Sequence, residues 1–507
     1  MEQARVGFGN YAPDLPALAN PGLAVARNTV PISGGYKGVN ALSPLAGFNA
    51  LPARPRGAIA GIDSSGNPFN VVGTELTLQM LTDNNYDVTR TTGGAYNCQT
   101  FWEFAIFQKN VLAVNLNDDS QYFDLVNPPS SMNFKQLGNP DLTGTVAPRA
   151  AHVAVIGSFI VMGNTFDAVN GRDETAIHWS AVNDPFNWPT PGTEVARAVQ
   201  SDRQPLQGDG GAVQGVIQGA EVGAIFQERA VWRADYRGGD VVFELNRVEP
   251  LRGLLVPAIA VPFGRRVFYL AEDGFYLFDY TESVPIGREI IDRTFLADID
   301  LSNSSRVSAV SDPGEQRIWV LYPGAGNVGG VPNKYLCYDW GLNRFSHGDE
   351  AAEWLTQAVA VGRTLDSSGT SADPDDLVFS DSFDDRIAAV GDLALGAYDT
   401  AFKLSDFSGS GVAAVIETGR RELAPGRRAL ASRARVLVDA VSPTVQVAGH
   451  GRAKETALSF SRETRIDEDG DAPLRVDARY HTFRINLPSG FDNALGFDIY
   501  FKSSGHR

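Results

Sequence analysis

Short apolar runs broken by turn residues recur along most of this chain, and that alternation limits the fold more than any other feature. From about residue 58 to 405, a strand-length run is followed by a Gly, Asp or Asn turn and then by another run. Residues 102–107, 111–115 and 122–126 are parted by Gln108-Lys109-Asn110 and Asn117-Asp118-Asp119. Residues 151–156 and 159–162 are joined through Gly157-Ser158, and 317–322 and 334–339 continue the series. Residues 267–271 and 275–278 flank Asp273-Gly274, a pair suited to the positive φ angles of a type I′ hairpin. Runs of about five residues at 8–12-residue spacing predict antiparallel hairpin sheets rather than βαβ units. The span is too long for one simple barrel, but four-stranded blades of ~40–50 residues fit it six or seven times. The predicted fold is all-β: a β-propeller of about six blades. A multi-sheet β assembly is the alternative, because no WD dipeptide or Asp-box pattern aligns the units, and Ser311-Asp312-Pro313-Gly314 has the wrong spacing.

The ends of the chain differ from its middle. Residues 1–55 are punctuated by Pro and Gly and read as an extended arm that wraps the body. Residues 56–405 form the predicted propeller. Residues 406–507 carry longer runs, at 412–417, 433–441, 457–460, 480–487 and 497–501, which predict an antiparallel β-sandwich or platform beyond a linker at 406–411. With 52 Gly and 28 Pro among 507 residues, long helices are disfavoured. One short helix is predicted over 288–299, where Ile291, Phe295 and Ile299 recur four apart.

Sixty acidic against 43 basic residues give a net charge of −17, which argues against general attraction to phosphates. Two distant cysteines, Cys98 and Cys337, make no C-x-x-C site and read as buried free thiols in apolar runs. The start of the chain lacks a basic and apolar leader, and the longest apolar stretch, 254–263, falls short of the ~20 residues of a membrane span. Six scattered histidines (His152, His178, His347, His450, His481, His506) contain no H-E-x-x-H, and no nucleophile elbow or Walker loop is present. Asp467, Asp469 and Asp471 imitate the start of an EF-hand loop, but Ala472 and Ala478 stand where Gly and Glu are required. A second acidic group, Asp373, Asp375, Asp376, Asp381, Asp384 and Asp385, reads as a solvated loop. The sequence thus predicts no catalytic residue, no metal ligand and no cofactor.

One basic run stands out. Arg420, Arg421, Arg427, Arg428, Arg433 and Arg435 lie within sixteen residues beside a single acid, Glu422. Such a run either balances acidic neighbours or forms a docking patch for an acidic partner or for phosphates, with inter-subunit docking favoured by its place on the platform.

Two stretches resemble a known family. The first runs Phe8-Gly9-Asn10-Tyr11-Ala12-Pro13-Asp14-Leu15-Pro16, then Asn20-Pro21-Gly22-Leu23, Ala26-Arg27-Asn28-Thr29-Val30-Pro31 and Gly34-Gly35-Tyr36. The second is Val267-Phe268-Tyr269-Leu270-Ala271-Glu272-Asp273-Gly274-Phe275-Tyr276, followed by Pro285-Ile286-Gly287 and Asp292-Arg293-Thr294-Phe295. Together they are similar to the tail nozzle, or packaged-DNA stabilisation, proteins of short-tailed bacteriophages. The resemblance implies a structural virion protein made in the host cytoplasm: a β-propeller joined to a β-rich platform in a homohexameric ring. Such a ring closes the distal end of the tail tube, retains packaged DNA and lets double-stranded DNA pass on ejection. It implies portal, adaptor or tail-tube proteins as partners, with tail fibre proteins as further ones, and carries over no catalytic residue. Two other readings stand beside it. Trp102, Trp179, Trp188, Trp232, Trp319, Trp340 and Trp354 with abundant acids suit a carbohydrate-binding or glycan-cleaving propeller, and the fold also suits a scaffold for host proteins.

Overall fold

The structure, a computed structural model, describes residues 2–82, 84–138, 146–219, 222–239, 241–359, 393–452, 458–488 and 490–505. Seven antiparallel meanders of four strands follow one another, at 58–87, 103–136, 149–205, 213–249, 261–285, 308–349 and 352–406. Six are separate sheets; the sixth meander is the first part of a nine-stranded sheet. The fourth strand of the seventh meander comes from the other end of the chain, where Ser43–Pro44 pairs with Leu404–Asp406. The chain is thus all-β with repeated four-stranded meanders, the unit from which propellers are built.

The uninterrupted apolar runs have a packing reason. Neighbouring side chains of a strand point to opposite faces, so a strand buried on both faces is apolar throughout. In Asn110–Val114, Val111 and Ala113 enter the core shared with the first meander, while Leu112 and Val114 enter the core shared with the third. In Arg317–Tyr322, Trp319 and Leu321 face the seventh meander, and Ile318 and Val320 face Phe268 and Phe275 of the fifth. Every consecutive pair of meanders shares such a core, and a further one joins Trp354, Tyr398 and Leu404 of the seventh to Val72 and Leu81 of the first.

Beyond the meanders, two sheets pack face to face. The nine-stranded sheet continues from its sixth-meander strands through Leu23–Arg27, Ala414–Thr418, Tyr480–Leu487, Thr444–His450 and Thr464–Arg465. Leu23–Arg27 makes the link, parallel to Arg344–Asp349 at Arg27 and His347 and antiparallel to Ala414–Thr418. An outer six-stranded sheet holds Glu2–Gly7, Thr29–Ile32, Gly35–Gly38, Ala494–Gly505, Arg428–Val438 and Asp471–Ala478. Between them lie Phe483 and Ile485 from one sheet and Phe497, Ile499 and Phe501 from the other, with Ala429, Ala431 and Ala434 as small counterparts. The strands at 444–450 and 471–478 were not anticipated: both alternate small or polar residues with few large apolar ones. Conversely, 458–460 forms no strand, and only Phe460 makes a bridge, to Ala448.

The predicted helix is shorter than its periodicity suggests: it spans Asp292–Asp298. Glu289 takes φ of 61°, a left-handed conformation that a helix cannot contain, and the Gly287 carbonyl collects the N–H groups of Ile290, Ile291 and Asp292 in a turn instead. Ile291, Phe295 and Ile299 are all buried, and the Phe295 ring meets Phe275 edge-on at 4.8 Å. A second short helix, Glu194–Ala198, was not anticipated. The hairpin loop at 272–273 sits one residue earlier than the Asp273-Gly274 reading, since Gly274 pairs with Ala271 as the first residue of its strand. A side chain at Gly274, where φ is 142°, would occupy the place of the Asp292 carboxylate.

The arm docks where this helix begins. Ile291, at the helix N-cap, offers no side-chain acceptor. Asp14 supplies it from 279 residues away in sequence: its carboxylate accepts from the Arg293 N–H at 2.7 Å, the Thr294 N–H at 3.0 Å and the Thr294 hydroxyl at 2.7 Å. An N-cap carboxylate satisfies orphan N–H groups and is worth about 1 kcal/mol. Arg293 in turn donates to the Asp14 carbonyl. Phe8 and Tyr11 join Phe275, Ile291 and Phe295 in one core.

Candidate functional site

The six predicted arginines do not form one patch. Arg421 is half-buried and donates to the Pro21 and Gly22 carbonyls, so it ties the arm to the platform. Arg420 is half-buried and Arg427 sits exposed in the turn that follows. Arg428, Arg433 and Arg435 lie together on one strand, Arg428–Val438, and point to the solvent side of the outer sheet. The alternation decides this: Ala429, Ala431 and Ala434 are fully buried on the other side, with a bulge between Ala431 and Arg433 keeping the arginines outward.

Neighbouring strands add cations that the sequence run could not reveal. Arg5 comes from Glu2–Gly7, Arg475 from Asp471–Ala478 and Lys502 from Ala494–Gly505, and all three are exposed. In register, Arg5 stands opposite Asp498, Asp498 opposite Arg435, and Arg435 opposite Asp471. The side chains complete this row as an alternating ladder. Arg5 Nε and Nη2 donate to Asp498 at 2.8 and 3.0 Å. Arg435 Nε donates to Asp471 at 3.0 Å, and Arg433 Nη1 donates to the same carboxylate at 2.9 Å. The Arg433 guanidinium also lies 4.1 Å from the centre of the Tyr500 ring.

Both carboxylates are 6% exposed while Arg5 is 70% and Arg433 and Arg435 are 43% and 42% exposed. The aspartates are thus covered by guanidinium groups rather than set deep in the core. The hydrogen bond from Arg5 holds the Asp498 carboxyl below its ordinary range, and the bonds to Asp498 and Asp471 raise Arg5 and Arg435. As surface pairs they contribute little stability. Their effect is to fix cations in place: Arg5, Arg428, Arg433, Arg435, Arg475 and Lys502 outnumber Asp471, Asp477 and Asp498 on a face of an otherwise acidic chain.

A cavity of about 290 Å³ lies where the first strands of several meanders meet. Ile59, Ile217, Val310 and Leu355 line it from the first, fourth, sixth and seventh, with Trp102 and Glu103 from the second. Glu103 is its one carboxylate among the described residues, and it is committed to His152 Nδ1 at 2.7 Å and to the Val153 N–H at 3.3 Å. A second cavity, of about 530 Å³, opens beside Asp14, Asp273 and Asp292 at the arm junction. Burial, with Asp14 and Asp273 nearby, pushes the Asp292 carboxyl up to about 6.

The remaining sequence candidates serve structure. Asp467 accepts the N–H groups of Asp469 and Asp471 in a tight turn, and Asp471 is bound by arginines. Among the described residues no group of three His, Cys, Asp or Glu is placed to hold a metal. His178 packs against Trp188 with neither ring nitrogen hydrogen-bonded, and burial lowers it to about 4; His347, stacked on Tyr11, is lowered equally by burial. Cys98 and Cys337 are free and buried, and burial pushes both thiols up to about 12, although Cys98 lies in a loop, not a strand. Five tryptophans, Trp102, Trp179, Trp188, Trp319 and Trp354, are buried, and Trp232 and Trp340 are half-buried. The acidic group from Asp373 to Asp385 and His506 lie outside the described residues.

No family model and no curated protein matches the chain. Among solved structures it is similar to the computationally designed protein Ika8, at 9% identity over 80% of this chain and 99% of that one, with a TM-score of 0.38. It is similar to YCF48 bound to a D1 peptide at 13% identity, over 61% of this chain and 84% of that one, with a TM-score of 0.33. It is also similar to Raptor of Chaetomium thermophilum at 8% identity, over 63% of this chain but 27% of that one, with a TM-score of 0.39. Scores this low assign no function.

Proposed function

We propose that this protein is a structural ring subunit of a bacteriophage virion, of the tail nozzle type, and that it works by shape and assembly. On this reading the seven meanders close into a seven-bladed propeller at residues 56–405, with residues 406–507 as the platform and residues 1–55 as the arm that staples both. The core between the seventh and first meanders, the shared cavity and the fourth strand donated by Ser43–Pro44 support the closure.

One observation carries the functional reading. The two stretches whose sequences resemble nozzle proteins lie more than 200 residues apart, yet they meet at a single junction through Asp14, Arg293 and Thr294 and a common core of Phe8, Tyr11, Phe275 and Phe295. A likeness concentrated at one contact fits a shared mechanical part better than scattered similarity would. The platform strands then belong to the same sheet as the sixth meander, joined where Arg27 pairs with His347, so the two parts share one sheet.

The acidic balance suits a conduit, because weak attraction lets double-stranded DNA pass. Six copies would form the distal end of a tail tube made in the host cytoplasm, with adaptor or tail-tube proteins as neighbours. Native mass spectrometry of the purified full chain, with electron microscopy and proteomics of particles that carry it, tests the reading. Rings on a tube, and the chain among virion components, are the expected result. A chain that stays monomeric and is absent from particles overturns it. The glycan-binding alternative is weakened by the burial of most tryptophans.

A further inference from the structure

We infer that the solvent face of the outer sheet docks a second copy of this chain, which meets it with an acidic part of its own surface in a head-to-tail contact. The inference rests on the ring reading and names the contact that builds the ring.

Charge carries the argument. The chain has a net charge of −17, yet this face displays six cations over three carboxylates, so the rest of the surface holds more than the whole negative excess. A second copy therefore offers predominantly acidic surface, and this sheet face is its electrostatic complement. Symmetry narrows the geometry. A two-fold contact would set the face against itself, cation row on cation row, and is disfavoured. A head-to-tail contact uses two different surfaces on each copy, and repeated through a closing rotation it generates a ring.

Two features prepare the face for this role. Asp471 holds Arg433 and Arg435, Asp498 holds Arg5, and Tyr500 packs under Arg433, so these guanidinium groups are ordered before a partner arrives. Ordering in advance reduces the conformational entropy lost on association. The adjoining strand Glu2–Gly7 pairs with Ala494–Gly505 on one side, and no strand pairs with its other edge among the described residues. Four strands at ~4.8 Å spacing and ~3.3 Å per residue present roughly 400 Å², about half of a standard interface per partner. The contact therefore extends past the face, across this open edge.

The test uses the full chain with Arg475→Glu and Lys502→Glu together, both at exposed positions, and with Arg5→Ala as a milder second variant. Sedimentation velocity and native mass spectrometry follow assembly at low and high salt, with the melting temperature as a control on folding. The expected result is at least tenfold weaker association in the double variant and a smaller loss in Arg5→Ala. Wild-type assembly should weaken comparably in high salt, with melting unchanged. Rings that form equally well in the double variant overturn the docking assignment and leave the ring reading intact. A wild-type chain that is monomeric at every concentration overturns both. Fluorescence anisotropy with a short DNA duplex gives the remaining arm: duplex binding lost in the double variant, with assembly untouched, assigns the face to nucleic acid and overturns docking of a second copy.

Discussion

At the arm junction and on the outer sheet face, an aspartate gathers donors from distant parts of the chain, and the two sites differ in what lies behind the carboxylate. Asp14 is backed by Phe8, Tyr11, Phe275, Ile291 and Phe295, so its hydrogen bonds register two apolar surfaces that bury each other. Asp471 is backed by its own sheet and covered only by half-exposed guanidinium groups, so its bonds register two side chains and bury little. The same chemical group is structural in the first case and a display device in the second. Substitutions at the junction should thus be felt as stability, and substitutions on the face as association.

The strongest way to break the junction is Phe295→Ala. Its ring is 1% exposed between Phe275 and Tyr322, and such truncations cost about 3–5 kcal/mol, to be read from denaturant unfolding.

The next effect depends on pH and sharpens what buried polar groups do away from the face. His178 is lowered to about 4 from 6.5 by burial, so the unfolded chain binds the extra proton between those values. Its contribution is fully present above pH 6.5 and is lost as pH falls towards 4 and below, about 3 kcal/mol at 1.36 kcal/mol per unit. In His178→Gln the stability lost between pH 6.5 and 4 should shrink by about that amount, measured by denaturant titration at each pH. Asp292 has the opposite sign. Its carboxyl is raised to about 6, so it contributes most below its unfolded value of 3.8 and loses that contribution as pH rises through 6. Asp292→Asn should therefore gain stability relative to the parent chain as pH rises through 6.

Asp14→Ala removes the borrowed helix cap and should cost about 1–2 kcal/mol, with faster hydrogen exchange at Arg293 and Thr294. The smallest effect belongs to the face: Arg435→Ala should leave the unfolding free energy nearly unchanged, as read from denaturant unfolding. If Arg435→Ala costs as much as Asp14→Ala, the distinction between the two sites fails.

Local pattern carried a good part of this architecture. The runs at 111–115, 267–271 and 317–322 announced strands, and the structure explains why they are apolar throughout: each lies between two cores. The period of Ile291, Phe295 and Ile299 placed a helix, though not its start, since apolar spacing carries no signal of the left-handed turn at Glu289. Strands 444–450 and 471–478 were silent because one face is small or polar and the partner sheet supplies the bulk.

The outer sheet face shows the limit most clearly. Adjacent positions held the arginines from Arg420 to Arg435 together in sequence, but strand alternation and the platform turn sent half of them elsewhere and brought in Arg5, Arg475 and Lys502. What the sequence determined alone is whatever depends on neighbours a few residues apart: the strand rhythm, the turns and the short apolar helix. What the tertiary structure decided is which distant strands lie side by side, because pairing across hundreds of residues is chosen by the burial of whole sheet faces, and that choice sets which charges share a surface.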